Sequence, residues 1–214
     1  MLPDPSVSLN PKRPLPGGRL ALDFANLRLA SSFPGGPQEL LRGLLAFLSL
    51  AGVIQASAIP ALAELWANAP NEASSLLNDA VSLNRALRIL FQARIDEKEI
   101  LPRWVAPLNE LLAHTEGHDR LEPLPEHAAG QADWRLALHA RAEGLEWLLT
   151  AIARSAAELI AAGPRAPIRK CANPDCGLFF YDASRTGKRR WCSMAVCGNR
   201  AKVAAHYRRA KNKS

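Results

Sequence analysis

The hydrophobic pattern of the first 164 residues predicts a set of amphipathic helices. Between Pro37 and Ala51, leucines recur at the three- and four-residue spacing that places them on one face of a helix. They are Leu40, Leu41, Leu44, Leu45 and Leu48. The same spacing predicts helices over 57–67, 72–98, 104–114 and 139–162. Alanine and leucine dominate this part of the chain, which favours helix over sheet.

Two segments have a pattern more typical of β-structure. Leu20, Leu22 and Phe24 alternate with smaller or polar residues, which indicates a short strand, with the start of a helix as the alternative. Within residues 117–138, apolar residues lie on both sides of a turn-rich centre that contains Pro123, and this pattern predicts a β-hairpin. The expected fold class is mainly α with minor β: a helical domain with one small hairpin, followed by a treble-clef-like zinc finger.

Helix breakers divide the chain. Residues 1–18 contain five prolines and end in Gly-Gly, which is typical of an extended lead-in. We expect a mostly helical domain over 19–163 and a smaller C-terminal module over 168–214. The first thirteen residues lack the apolar run of a secretory signal, and no stretch has eighteen uncharged apolar residues. We therefore expect a cytoplasmic protein without a membrane span.

All four cysteines of the chain lie in the C-terminal module with the spacing C-x4-C-x15-C-x4-C. Two short-range pairs of thiolates are the usual donors of a tetrahedral zinc site. The sequence therefore predicts one Zn²⁺ per chain bound by Cys171, Cys176, Cys192 and Cys197. Two disulfides, an iron–sulfur site and free thiols are the alternatives, and a reducing cytoplasm favours the metal.

The residues around the cysteines predict a knuckle, a hairpin and a helix. Pro174 and Gly177 are suited to a tight turn that directs the first two thiolates inward. Residues 178–181 and 188–191 are expected to pair as the two strands of a hairpin. Cys197 is then expected in the first turn of a helix that runs to about residue 209. Metal binding would supply much of the folding energy of so small a module.

Charge is distributed unevenly along the chain. The net charge is +7, but residues 165–214 contain thirteen Lys or Arg against two acids, which gives +11 there and −4 elsewhere. A basic module on a mildly acidic domain predicts a polyanion as partner. The alternative is a solvated basic tail that only aids solubility.

The C-terminal module resembles the CGNR zinc-finger family. Cys197-Gly198-Asn199-Arg200 carries the motif, preceded by residues 190–194 and by the segment 178–185 between the cysteine pairs. Residues 18–26, Gly-Arg-Leu-Ala-Leu-Asp-Phe-Ala-Asn, resemble the opening of the ABATE domain that commonly precedes this finger, although Leu27 replaces a frequent threonine. The resemblance implies a stress-induced transcription regulator, whose helical domain would sense a small-molecule effector or mediate association into an oligomer.

A nucleic acid, with DNA expected ahead of RNA, is the predicted partner of the finger. The residues proposed to neutralise phosphates are Arg185, Lys188, Arg189, Arg190, Arg200, Lys202, Arg208 and Arg209. Asn199 and Arg200 lie where a helix entering a groove would present groups that read bases. The alternative is structural: Asn199 bonds the knuckle backbone, and Arg200 packs on Trp191 or pairs with Asp182.

Two polar residues of the N-terminal motif are further candidates. Asp23 and Asn26 lie three apart among apolar neighbours, and they either line a small-molecule pocket or cap a helix and fix a turn.

An enzymatic function is not expected. Four thiolates leave no open metal coordination position for a catalytic water, and the segment between Cys176 and Cys192 contains no histidine. The competing class of function is a zinc-stabilised module that docks protein or RNA without reading DNA sequence.

Overall fold

A computed structural model describes residues 15–29, 36–113, 117–123, 134–140 and 147–211, with the side chains of 117–123, 134–140 and 206–211 excluded. Six helices form the body of the described part: α1 (Leu20–Ala25), α2 (Pro37–Leu50), α3 (Ile59–Asn68), α4 (Pro70–Ile95), α5 (Pro102–Ala113) and α6 (Trp147–Ala161). The first fourteen residues of the expected lead-in lie outside the described residues. The predicted fold class, mainly α with a small hairpin and a C-terminal cysteine cluster, is confirmed.

The core of the body is built on the longest helix, α4, whose buried stripe follows the predicted spacing. Leu83, Leu87, Leu90 and Phe91 are fully buried there. Helix α2 contributes Phe47, whose ring centroid lies 5.7 Å from that of Phe24. Apolar side chains at helical spacing thus form one continuous interior, as the pattern predicts.

The strand predicted around Leu22 is instead the helix α1. All residues from Ala21 to Ala25 are buried, so this segment has no solvent-facing side of the kind an alternating strand needs. Small alanines at both ends let α4 and α6 approach it closely. The alternative that the sequence left open, the start of a helix, is the correct one.

The predicted hairpin is formed by β1 (Gly117–Pro123) and β2 (Trp134–Ala140), which pair antiparallel from Gly117↔Ala140 to Pro123↔Trp134. The expected helix start at residue 139 is wrong, because His139 and Ala140 end β2 and α6 begins at Trp147.

The finger follows a short 3-10 turn at Gly163–Arg165. It contains β3 (Ile168–Lys170), β4 (Phe179–Tyr181), a π-helical turn (Met194–Gly198) and α7 (Asn199–Lys211). Here the predicted strand pairing is wrong: β4 pairs antiparallel with β3, and residues 188–191 form no strand. The knuckle, the tight turn between Cys171 and Cys176, is therefore part of the connection between β3 and β4. This connection is short enough to return the chain directly onto β3.

Strand β4 also connects the finger to the body. Phe179 packs into the body core, with its ring centroid 6.0 Å from that of Phe91, whereas the next residue, Phe180, packs against the cysteines. Successive side chains of a strand point to opposite faces, so one short strand contributes to both cores. The body core and the finger core therefore adjoin at β4.

Candidate metal centre and its basic surroundings

The first pair of cysteines lies on a tight turn organised by Asn173. The Asn173 carbonyl accepts hydrogen bonds from the backbone N–H of Cys176 at 3.0 Å and of Gly177 at 3.4 Å. Gly177 has a φ of 62°, a left-handed conformation that favours glycine. Cys171 closes the turn by donating its N–H to the Leu178 carbonyl at 2.8 Å. The backbone thereby directs both sulfurs to the same side.

The second pair of cysteines spans the π-helical turn before α7. The Ser193 carbonyl accepts from the N–H groups of Cys197 at 2.9 Å and Gly198 at 3.1 Å. A Cβ at Gly198 would lie 2.7 Å from the Met194 sulfur, so a larger residue there would displace the end of that side chain. Asn173 joins the two turns, because its side-chain amide lies 3.7 Å from the Cys197 sulfur.

The four sulfurs have the separation that a tetrahedral metal requires. All lie within 4.8 Å of one another, with 3.6 Å between Cys176 and Cys192 and 3.8 Å between Cys192 and Cys197. Four sulfurs about 2.3 Å from one centre are about 3.8 Å apart. The four cysteines are free thiols, and the two short distances exceed an S–S bond of about 2.05 Å. The residues therefore fit a tetrahedral thiolate site.

The thiols lie close enough to shift one another's pKa. A hydrogen bond from the Cys192 thiol lowers the pKa of Cys176 to about 5. The same bond, together with burial, raises the pKa of Cys192, and burial raises that of Cys197. One sulfur is thus held as a thiolate by its protonated neighbours, and a bound dication would stabilise the thiolate form of all four.

A buried carboxylate, Asp182, holds the loop between the cysteine pairs. It accepts hydrogen bonds from the Ser184 hydroxyl at 2.6 Å, the Ser184 N–H at 3.1 Å and the Arg189 N–H at 2.9 Å. The Arg169 guanidinium lies 3.0 Å away. Burial alone would raise the pKa of Asp182, but these hydrogen bonds and Arg169 outweigh it and lower that pKa.

Two neighbouring arginines of the predicted phosphate-binding set have different surroundings. Arg189 is half-buried: its guanidinium donates to the carbonyls of Trp191, at 2.8 Å, and Cys192, and lies 4.8 Å from the centre of the Phe180 ring. Arg190 is exposed, with its guanidinium 5.2 Å from the Trp191 ring. Arg189 therefore supports the loop, whereas Arg190 is accessible to a ligand.

The other predicted contact residues lie on the loop and on α7. The exposed ones are Arg185, Lys188, Asn199, Arg200 and Lys202. Asn199 donates to the Ala195 carbonyl at 3.1 Å, a bond to the turn between the second pair of cysteines. Asp182 pairs with Arg169 rather than with Arg200. Arg208 and Arg209 belong to α7, but their side chains lie outside the described residues.

Asp23 and Asn26 both bind backbone groups. Asp23 accepts from the Gly17 N–H at 2.6 Å, and burial raises its pKa to about 6 although backbone N–H groups of Gly17, Gly18 and Arg19 oppose this. Asn26 donates to the Phe179 carbonyl and accepts from the Phe179 N–H, both at 2.8 Å. The Gly17 carbonyl accepts from the Tyr181 N–H at 2.8 Å. The helix α1 motif thus holds the free edge of β4.

Sequence reasoning missed Asn173, Asp182 and Arg169 as organisers of the site. The Asn-Pro-Asp turn before Cys176 was a usable signal, since Asn often bonds the backbone two residues on, as the Asn173 side chain does with the Asp175 N–H at 3.2 Å. The pairing of Arg169 with Asp182 had no signal in the sequence, because the strand register that brings them together was predicted wrongly.

Two family models match the chain. The model described as "CGNR zinc finger" matches residues 168–210, and the ABATE model, described as "Putative stress-induced transcription regulator", matches residues 18–163. The chain belongs to the ABATE family and carries a C-terminal CGNR zinc finger, and neither is an enzyme family. No curated protein matches the chain. Among the helices of the described residues, none has both the length and the apolar character needed to cross a bilayer.

Proposed function

We propose that this protein is a zinc-dependent transcription regulator of the cytoplasm whose C-terminal finger binds nucleic acid, with DNA as the expected partner. The observation that carries the proposal is the +11 charge of residues 165–214, arranged on a finger whose four buried or half-buried thiols fit one metal ion. The helical body would sense an effector or mediate association.

Zinc is the metal that the donor set suits best. Four thiolates at tetrahedral spacing form a closed coordination shell, which is typical of structural zinc. We expect one Zn²⁺ per chain, bound by the four cysteines. Elemental analysis of freshly reduced protein tests this, and a metal content well below one per chain would contradict it.

Exposed cations lie on the loop before the second pair of cysteines and on the helix that follows this pair. Arg185, Lys188 and Arg190 lie on the loop, where they would contact phosphates irrespective of sequence. Arg200 and Lys202 lie in the first turns of α7, from which side chains can reach base edges if that helix enters a groove. We therefore assign positioning to the loop and base reading to the start of α7.

Salt dependence of binding to duplex DNA, single strands and RNA tests the electrostatic part. Each phosphate contact contributes close to one to the slope of log K against log salt. We expect Arg190→Ala to reduce affinity for all duplex sequences alike and to lower the slope by about one. Arg42→Ala, which removes an exposed charge from α2, is the matched control and should change neither.

Arg200→Ala tests the base-reading part of the proposal. A lost base contact should reduce discrimination between preferred and unrelated duplexes by about 1–3 kcal/mol. An equal loss on every sequence would place Arg200 on the backbone instead. Preference for RNA over duplex DNA would contradict the expected partner.

The competing function, docking of a protein, is favoured by two exposed apolar side chains on the finger. Met194 is 51% exposed and Val203 is 55% exposed, close to the cations of α7. Isolated exposed apolar residues are common, so these two do not outweigh the charge. Absence of binding to any nucleic acid at low salt would favour the docking function.

A further inference from the structure

A cleft of about 460 Å³ lies where helix α4 of the body meets the β3–β4 hairpin of the finger. Its apolar lining includes Ile89, Trp104 and Phe179. Its cations include Arg85 and Arg88 from α4 and Lys170 from β3. The volume is in the range of small-molecule sites. Ile89 and Trp104 are the more exposed of these apolar side chains, so the cleft combines an accessible apolar wall with several positive charges.

Neither Arg88 nor Lys170, two cations of this cleft, forms an ion pair with a carboxylate among the described residues. The Arg88 guanidinium and the Lys170 ammonium lie 6.0 and 5.9 Å from the centre of the Phe179 ring. Both bond neutral groups: Arg88 donates to the Ala25 carbonyl at 2.9 Å, and Lys170 donates to the Gln92 side chain at 2.8 Å. Two cations near one ring repel each other, and an anion bound in the cleft would offset that repulsion.

The carboxylate that lines this cleft, Asp96, has its own cation. It lies 3.1 Å from the Lys98 ammonium, and it accepts a hydrogen bond from Gln92 at 2.8 Å. Lys170 also attracts Asp96 electrostatically. One carboxylate thus stands against four cations in the lining, Arg85, Arg88, Lys98 and Lys170, so positive charge is in excess.

Arg85 and Arg88 also line a second, adjoining pocket of about 340 Å³, together with Arg28. Arg85 is exposed, and it makes no ion pair within the part of the chain that the structure describes. Guanidinium groups donate in a planar fork that matches the oxygens of a phosphate or carboxylate. The wall shared by the two pockets is thus suited to hold an anionic group.

We infer that the cleft binds a small organic anion, with a phosphate or carboxylate held by Arg85 and Arg88 and a flat apolar portion against Trp104 and Ile89. A concave site with an apolar wall suits a small molecule better than the convex backbone of a duplex. Because α4 belongs to the body and Lys170 to the finger, the bound anion would lie against both and stabilise their junction by mass action.

The first test uses 1-naphthyl phosphate as probe with the full metal-loaded chain. In NMR spectra the indole N–H signal of Trp104 should shift on titration, whereas that of Trp66, which is 2% exposed and does not line the cleft, should not. 1-Naphthol and inorganic phosphate, each carrying half of the probe's chemistry, should bind at least tenfold more weakly. Unchanged Trp104 signals at millimolar probe, or equal binding of 1-naphthol, would overturn the inference.

The second test compares two charge reversals. Arg85→Glu should weaken binding of 1-naphthyl phosphate at least tenfold, measured by calorimetry, while Arg42→Glu, at an exposed position on α2, should change it less than twofold. Both variants should keep the wild-type melting temperature, since neither arginine forms a hydrogen bond or an ion pair among the described residues. Equal effects of both variants would overturn the inference, because they would indicate a general charge effect. A tenfold loss of duplex DNA binding in Arg85→Glu without detectable probe binding in the wild type would overturn it too, by assigning the cleft to the nucleic-acid surface.

Discussion

The body and the finger of this protein are stabilised by different means. The body encloses large apolar side chains, among them Phe24, Phe47 and Phe91, and each such burial contributes about 1.5–3 kcal/mol. The buried set of the finger contains Phe180 as its large apolar member, together with three of the cysteines. The finger therefore depends on polar contacts and, as we propose, on a bound metal, whereas the body depends on buried apolar area.

The difference explains why β4 matters to both parts. Phe179 adds apolar area to the body, and Phe180 covers the thiols. Alternation along one strand lets a small module with almost no core of its own share the core of its neighbour. Four predictions test how strongly the stability of the body is coupled to that of the finger, from the largest expected effect to the smallest.

Loss of one metal ligand should have the largest effect. We expect Cys197→Ser to abolish stoichiometric metal binding and to unfold the finger, because structural zinc contributes about 10–16 kcal/mol to the folding of such modules. The helices of the body should persist but melt at lower temperature, since Phe179 leaves their core. Metal analysis and backbone NMR of residues 168–205 measure this. Ser193→Ala in the same turn should retain the metal, and a fully folded finger in Cys197→Ser would contradict the prediction.

Loss of the Asp182 charge should have the next largest effect. The side chain of Asp182 is fully buried, and Asp182→Asn would turn an amide N–H₂ toward donors from Ser184 and Arg189. We expect a loss of about 3 kcal/mol in the free energy of unfolding of the metal-loaded protein, measured in urea. Asp175→Asn, at an exposed position in the knuckle, should cost less than about 0.5 kcal/mol. Similar values for both variants would show that the Asp182 network contributes little.

A pH dependence should distinguish the two buried aspartates. Burial raises the pKa of Asp23 from 3.8 to about 6, so the folded body binds its proton more tightly than the unfolded chain does. The stability that this proton provides is complete below about pH 4 and is lost as pH rises through about 6. Its size is about 3 kcal/mol at 1.36 kcal/mol per pKa unit. Asp182, whose pKa is lowered, should show the opposite pH dependence: the stability that its charge provides is lost as pH falls.

The measurement for Asp23 is a difference between two proteins. The free energy of unfolding of the wild type minus that of Asp23→Asn should fall by about 3 kcal/mol between pH 4 and pH 7. Contributions from the thiols are common to both proteins and cancel in this difference. A difference that stays constant with pH would mean that the hydrogen bonds from the Gly17 turn offset the effect of burial on the pKa of Asp23.

Much of the fold could be predicted from local pattern, and the failures have a common cause. The apolar stripe was sufficient to predict the helix α4, and the cysteine spacing was sufficient to predict the cysteine cluster, because each pattern depends on residues close in sequence. For segment 20–25 the prediction of a strand was wrong, since a two-residue alternation of apolar and small residues also fits a helix that is buried on all sides. The partner of β4 could not be read from sequence, because strand pairing depends on which segments the fold brings together.

The same limit applies to the candidate site. The four cysteines could be predicted as candidate metal ligands from their spacing. The sequence could not show that Arg189 is half-buried and Arg190 exposed. The former is turned toward the carbonyls of Trp191 and Cys192 by the bond from its own N–H to Asp182, and the latter points to solvent. Charge composition identifies a basic surface, whereas the backbone path decides which cations are available to a ligand.

The smallest effect tests whether body and finger unfold together. Asn26→Ala removes the two hydrogen bonds, each of 2.8 Å, that join α1 to the backbone of Phe179. Each bond contributes about 1 kcal/mol, so we expect the finger to be destabilised by about 2 kcal/mol while it retains its metal. Asn71→Ala, an exposed position on α4, is the control and should cost less than about 0.5 kcal/mol.

Urea unfolding followed at two probes distinguishes the outcomes. Helical circular dichroism reports mainly on the body, and the chemical shifts of residues 179–181 report on the finger. In the wild type the two transitions should coincide, because Phe179 belongs to the body core. In Asn26→Ala the finger transition should move to lower urea and separate from that of the body. If both transitions stay together, the packing of Phe179 against Phe91 is sufficient to couple the two parts, and the Asn26 bonds only set the position of the strand.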